Sequence, residues 1–410
     1  MKQLVFYEWK KLLTKKTTWV AFVVLFVINA VFVGISGSLG STYVEGKFYE
    51  THKERNQIER EHGLALSGRT IDDALLGEMQ EAYQKIDRSS QAYKWTDIYK
   101  NEVRKYDNLE MRFKLWGLNS NSLREKVTEA FVDTTVGERI YLARDFIREQ
   151  LYKEYFLTEK EIAYWEAKNE EIETPFVYQY VEAYDSIVGM QGLYMISMLI
   201  TFFAAITMAG VFADEHVKKT DQLILSTRLG RTDAYWAKLL AGSLMTFLVT
   251  FLFFIVAVAG KIYSYGWEGF GAVAQMILEY WYPYNLSVGA VCVIMSGILL
   301  LSCVLVAIFT MLLAELLRNS VGALAVVVGG VFAARLVSVP MEWRVLSQLW
   351  NYIPINLLKA NQGFVDLRTV NLFGIQLTAW QFAPILYVGL MVVLVVLGEK
   401  LYNRYQVSGR

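Results

Sequence analysis

The sequence predicts an all-α, polytopic membrane protein. It has six transmembrane helices and a large, mostly helical extracellular domain between the first and second. Three observations carry this. Hydrophobic residues make up 54% of the 410, and they gather in runs long enough to cross a bilayer, which takes about 20 residues. Charge gathers in one block, 40–186, with 21 Lys+Arg and 29 Asp+Glu. Within that block, apolar positions recur three and four residues apart, the period of a helix.

The chain opens with residues 1–17, "MKQLVFYEWKKLLTKKT". Leu4, Val5, Phe6, Trp9, Leu12 and Leu13 share one side of a helix; Tyr7, Lys10 and Lys11 take the other. This predicts a cytoplasmic amphipathic helix in the inner interface, its lysines near anionic headgroups. Glu8 falls within the apolar arc. It either snorkels into a gap or meets a basic group of a partner protein. The first span lies in 18–39, on the run Trp19–Ile35. That run is longer than the apolar core of a signal peptide, so a retained span is expected.

The block 40–186 follows. Leu75, Leu76, Met79, Tyr83 and Ile86 mark one helix; Ile140, Leu142, Phe146, Ile147 and Leu151 mark another. Gly117–Ser122 reads as a loop between helices, and Pro175 as the break before the chain re-enters the membrane. The acidic pairs Asp72-Asp73 and Glu170-Glu171 read as solvated helix faces.

Five further spans fill 187–410: Ile187–Ala213, Leu239–Gly260, Leu286–Ala314, Val321–Ala334 extended by Leu336–Val339, and Phe382–Leu397 behind the interfacial Trp380. With the N-terminus in the cytoplasm, the short inside segments carry 14 Lys+Arg and the short outside segments, 261–285 and 340–379, carry 4. The positive-inside rule therefore places both termini in the cytoplasm, and it exempts a long translocated block such as 40–186.

Several function classes are excluded. No G-x-x-x-x-G-K-[ST] phosphate loop, H-E-x-x-H or G-x-S-x-G occurs. The three histidines are scattered, and Cys292 and Cys303 lie eleven residues apart in one span, too far for a disulfide. No cofactor or metal is expected on this chain, and no nucleic-acid partner. No Asp, Glu or Lys sits at mid-depth of a span, which argues against ion-coupled transport. Arg335 interrupts the fifth run, either snorkelling near the outer face or contacting substrate or lipid headgroups.

The segment 214–238 is the most informative. It sits between the second and third spans, carries five Lys+Arg, and has an apolar centre at Leu223-Ile224-Leu225. Glu215 can pair with Lys218 or Lys219 one turn on, Gly230 breaks the chain, and Thr232 can cap the next helix. A short apolar-centred helix rimmed with charge suits docking into a partner's groove; the other reading is a helix resting on lipid.

Glu215 followed by "LILSTRLGRTDAYWAKLL" resembles the loop between the second and third spans of permease subunits of ATP-binding-cassette (ABC) exporters of the type-two class. Ser226, Thr227, Arg231, Thr232, Asp233 and Lys238 stand in the matching places. Arg228 and Gly230 depart from the family's usual proline and serine. The interfacial helix with Glu8, Trp9 and Lys10, the six-span layout and the hairpin loop 340–379 extend the resemblance. It implies that Glu215, Leu223, Ile224, Leu225, Ser226, Thr227, Arg231, Asp233 and Lys238 couple the spans to a separate ABC ATPase. That partner would bind ATP and Mg, and this chain would not be an enzyme by itself. It further implies pairing with a second permease copy or a related permease, contact with membrane lipids, a bacterial plasma membrane, and export of an amphiphile such as a peptide, lipid or drug along a path lined by spans two and five. The rival from another class is a non-transporting sensor or scaffold whose extracellular domain binds a ligand or partner.

Overall fold

The computed structural model describes residues 1–115, 136–190, 192–220, 227, 230, 232–279, 281–359 and 362–404. Gly117–Ser122, read above as a loop, lies outside them. Five stretches are long and apolar enough to cross a membrane: Lys16–Ser38, Glu182–Val217, Thr232–Tyr265, Val288–Leu317 and Ala379–Asn403. The sixth expected span is a shorter apolar helix, Ser320–Leu336.

Helix α1 (Lys2–Thr14) ends where Lys15 turns extended, and α2 (Lys16–Ile28) starts the first crossing at an elbow. The Trp19 indole N–H donates to the Leu13 carbonyl at 2.7 Å across that elbow. The helix then widens into a π-helical stretch, Asn29–Ile35, beside the buried Asn29, whose amide donates to the Phe253 carbonyl at 2.9 Å. Gly34 meets Gly260 of the third crossing so closely that a Cβ on Gly260 would lie 2.6 Å from Gly34 backbone atoms. Small residues permit this approach, and dispersion between the touching backbones holds membrane helices together.

The 41–186 block opens with the hairpin β1 (Ser41–Val44) and β2 (Lys47–Thr51). Its turn residues Glu45 and Gly46 both have positive φ, as a type I′ turn requires. Thr51 and Glu54 form a capping box that starts α3 (His52–Leu66). Asp72 accepts from the Leu75 N–H to start α4 (Asp73–Gln84), so it is a helix cap and not a solvated face. Ile86 falls beyond that helix. Next come α5 (Asp107–Leu115), α6 (Val136–Glu154) and α7 (Glu159–Glu170). In α6, Ile140 and Ile147 are buried, but Leu142 faces outward, because Ala143 takes the inward place.

The second crossing is broken: α8 (Gly192–Thr207) stops, and α9 (Gly210–Val217) resumes after Met208 and Ala209. The third is one helix, α10 (Thr232–Tyr265), about 50 Å long at 1.5 Å per residue. It opens at Thr232. Helix α11 (Val288–Leu317) turns back through Arg318, in the left-handed region, into α12 (Ser320–Leu336), started by the Asn319 side chain. Cys292 and Cys303 on α11 are free thiols. The loop 340–378 folds into α13 (Arg344–Asn351), two short turns, and a second hairpin, β3 (Val370–Leu372) with β4 (Ile375–Leu377). Helix α14 (Ala379–Arg404) closes the fold. The described residues are thus mostly helical, as expected of an all-α membrane protein, with two small two-stranded hairpins.

One buried cluster runs from Leu12 through the 41–186 block to Tyr402. The block is seated on the loops at one end of the bundle. Trp165, 1% exposed, donates to the Leu367 carbonyl at 2.6 Å, Tyr184 donates to Trp267 at 2.6 Å, and Arg60 pairs with Glu268. We call this end apical and the opposite end basal.

Candidate functional site

The site is a knot of charge at the basal end. Glu8, Lys11 and Lys15 recur at three- and four-residue spacing, so they share one face of α1 and its elbow. That face lies against the end of α9 and the first turns of α10. Lys238 reaches Glu215 at 2.5 Å and Glu8 at 2.8 Å. Lys11 reaches Glu215 at 2.6 Å and Glu8 at 3.6 Å. Lys15 pairs with Asp214 at 2.7 Å and donates to the Gly210 carbonyl at 3.3 Å. His216 bonds Glu315 at the end of α11 over 2.8 Å.

The Lys238 side chain is 0% exposed and that of Glu215 6%. Two ammonium groups face two carboxylates here, so the charge balances locally. An unpaired ion at such depth would cost several kcal/mol. Burial alone would lower the Lys11 ammonium, but the Glu215 and Glu8 carboxylates raise it above its ordinary range. The knot ties α1, α9 and α10 together through paired charges. Pulling Glu215 pulls α1 and α10 with it.

The C-terminal helix is tied to the same end. Tyr235 donates to the Val395 carbonyl at 2.8 Å, Trp236 to Glu399 at 3.2 Å, and Tyr402 to the Gly230 carbonyl at 3.4 Å. The two described flanks of this segment, His216 on one side and Gly230 on the other, are thus both tied to the bundle, and Gly230 is buried.

Of the residues singled out in the sequence, Glu8, Glu215 and Lys238 come together. Two expectations change. Glu215 does not pair with Lys218 or Lys219; Lys11 and Lys238, converging from two other helices, reach it instead. Glu8 neither snorkels nor awaits a partner's cation, because Lys238 of its own chain supplies one. Lys11, placed toward the headgroups by the helix pattern, turns into the protein for the same reason. Lys10 stays exposed and Trp9 is half-buried. Asp233 sits in the first turn of α10, where a carboxylate favours the helix dipole. Thr227 is exposed. Leu223, Ile224, Leu225, Ser226 and Arg231 lie outside the described residues. Arg335 is exposed at the far end of α12, away from the knot.

Sequence reasoning missed Lys15, Asp214, His216 and Glu315. One signal was available: the run Asp214-Glu215-His216 ends an apolar stretch, and Glu315 ends another. Charges at two span ends invite pairing between them.

Residues 4–358 match the model of a family described as ABC-2 family transporter protein. No curated protein and no solved structure matches the chain.

Proposed function

The chain belongs to the ABC-2 family of transporter proteins, and from that premise we propose that it couples a separate ABC ATPase to export of an amphiphile through the segment 214–238. As a membrane component of this family it is not itself the catalyst. The observation that carries the coupling role is the Glu8–Lys238–Glu215–Lys11 knot. It links α9 and α10, which flank the 216–232 segment, to each other and to α1, so a push on that segment is passed to three helices at once. Glu215, Thr227, Arg231 and Asp233 are the further residues we assign to coupling. ATP and Mg belong to the partner ATPase.

The basal contacts of Glu8 and Tyr402 support six crossings. A chain whose two ends meet at one end of the bundle crosses an even number of times. Five long helices with Ser320–Leu336 meet that condition, and a 17-residue helix lies at the lower bound for spanning. The positive-inside count supports a cytoplasmic basal end and an extracellular 40–186 block, and the family supports a multi-pass membrane protein, which we place in a bacterial plasma membrane. Val321, Val326, Phe332 and Leu336 on α12 are exposed. This suits a second permease copy, or a related permease, facing spans two and five across the translocation path, with Arg335 near substrate or lipid headgroups at its outer end. Apolar span surfaces favour an amphiphilic cargo.

The test is replacement of Leu223 and Leu225 by Asp. Each buried leucine contributes roughly 1.5–3 kcal/mol, so ATPase binding falls by a few orders of magnitude while membrane insertion persists. Co-purification of the ATPase and normal coupled hydrolysis in this variant would overturn the docking role. Orientation is checked separately. Cysteines at Ser90 and Phe373, both exposed, react with an impermeant thiol reagent on intact cells, and one at Thr227 does not.

A further inference from the structure

At the elbow between α1 and α2, Trp9, Leu13, Thr18, Trp19, Phe22, Met245, Leu248 and Val249 enclose an apolar cleft of about 110 Å³. An apolar cavity of about 150 Å³ takes one benzene ring, so the cleft takes a stretch of hydrocarbon and not a whole ligand. Its rim is open, since Trp19 and Leu248 are 50% and 43% exposed. Beyond the rim, Val20, Val23, Val24 and Leu244 are exposed, which places the opening toward hydrocarbon and not water.

Charge complementarity selects the ligand. Lys16, Trp19 and Phe22 stand at i, i+3 and i+6, so they line one face of α2 as a ladder of cation, interfacial aromatic and apolar wall. Lys11 and Lys15 are taken up by Glu8, Glu215 and Asp214. Lys16 is exposed and has no ion pair among the described residues. The cleft wall itself is apolar. A phosphate beside Lys16 and an acyl chain along Phe22 and Leu248 match this order from water to hydrocarbon.

We propose that the elbow cleft is a specific site for an anionic glycerophospholipid of the cytoplasmic leaflet. The leaflet rests on the orientation proposed above; the binding does not. The lipid would brace the elbow from the bilayer side while Lys11 and Lys15 hold it from the protein side.

The test is native mass spectrometry of the full chain with phosphatidylglycerol or phosphatidylcholine of identical acyl chains. We expect one phosphatidylglycerol retained in preference. Lys16→Glu and Leu248→Trp, which fills the cleft, each weaken it about tenfold or more. Lys2→Glu removes the same charge elsewhere on the interfacial segment and leaves binding unchanged. Equal retention of phosphatidylcholine, wild-type binding by Lys16→Glu, or equal loss in Lys2→Glu would each overturn the proposal. Wild-type binding by a Leu248→Trp variant with an unaltered melting curve would do the same. Lipid binding without ATPase recruitment would refute the transport reading and leave this one standing.

Discussion

The two ends of the molecule solve one problem, burying ions, with different side chains. At the apical seam Arg344 places one guanidinium nitrogen 2.6 and 2.7 Å from both oxygens of Glu161 and also bonds the Phe156 carbonyl. Glu161 takes the Thr369 N–H at 2.8 Å as well. Arg368, 0% exposed, grips Asp366 at 2.8 and 2.7 Å. Burial would raise the Glu161 carboxyl, but Arg344 and the backbone donors hold it below the usual carboxylate range. Inside the block, one guanidinium nitrogen of Arg104 bonds both Glu50 oxygens, and Arg112 uses its two terminal nitrogens to join Glu182 to Asp185. At the base, the pairs of the knot are made by Lys11, Lys15 and Lys238. A guanidinium fork fixes distance and angle together, whereas an ammonium is a point charge on a flexible stem. The apical seam is built to hold one geometry. The basal knot keeps its charges paired while its helices shift.

The strongest way to break this contrast is at Lys238. Lys238→Met leaves Glu8 and Glu215 buried with Lys11 as their remaining cation, and it costs about 3–5 kcal/mol. The expected result is a lower melting temperature of the purified protein and loss of ATPase stimulation. Lys238→Arg keeps the charge but overfills a fully buried site, at about 1–3 kcal/mol. If the base works as an adjustable joint, it loses coupling even where it folds. Wild-type coupling in Lys238→Arg would mean that the two ends are not built differently.

The reciprocal exchange at the seam, Arg344→Lys, removes the fork and costs about 2 kcal/mol, the scale of a charged hydrogen bond. Its signature is faster amide exchange in α7 and in 366–369, with the base unaltered. Protection unchanged in those segments would show that the fork is dispensable.

The smallest expected effect concerns pH. Burial pushes the Glu59 carboxyl up to about 7, against Arg55 at 3.5 Å. A carboxyl raised on folding binds a proton that the unfolded chain has already released. Stability therefore falls as pH rises from the ordinary carboxylate range to about 7, with the full loss present above it. The side chain is 27% exposed, so solvent screens part of this effect. Glu59→Gln accordingly raises the melting temperature at about pH 8 by a few degrees and leaves it unchanged at about pH 4. An equal rise at both would place the effect in packing and not in titration.

Much of the fold was legible because it follows from local chemistry. Apolar runs must leave water, and a membrane-length run has one way to do so, as a helix with its backbone bonds satisfied internally. The helical period in 73–84 and 136–154 and the charge bias of the short loops are likewise local. The hairpins were harder to see. Glu45-Gly46 and Phe373-Gly374 both take the positive φ of a tight turn, but their strands are too short to show alternation.

The sequence by itself determined which segments are apolar enough to cross a membrane, where the cations gather, and that 214–238 is a charged segment with an apolar centre between two such segments. Only the tertiary structure decided what those charges do. Glu8 and Lys238 stand 230 residues apart, and Lys11 and Glu215 stand 204 apart. No periodicity links such positions. Burial makes the pairing worth several kcal/mol, and burial exists only after α1, α9 and α10 have packed. A neighbour such as Lys218 is available to Glu215 in every conformation, but in water an exposed pair contributes little. Lys238 is distant in the chain and becomes the stronger partner, because packing has removed the water that would otherwise screen it.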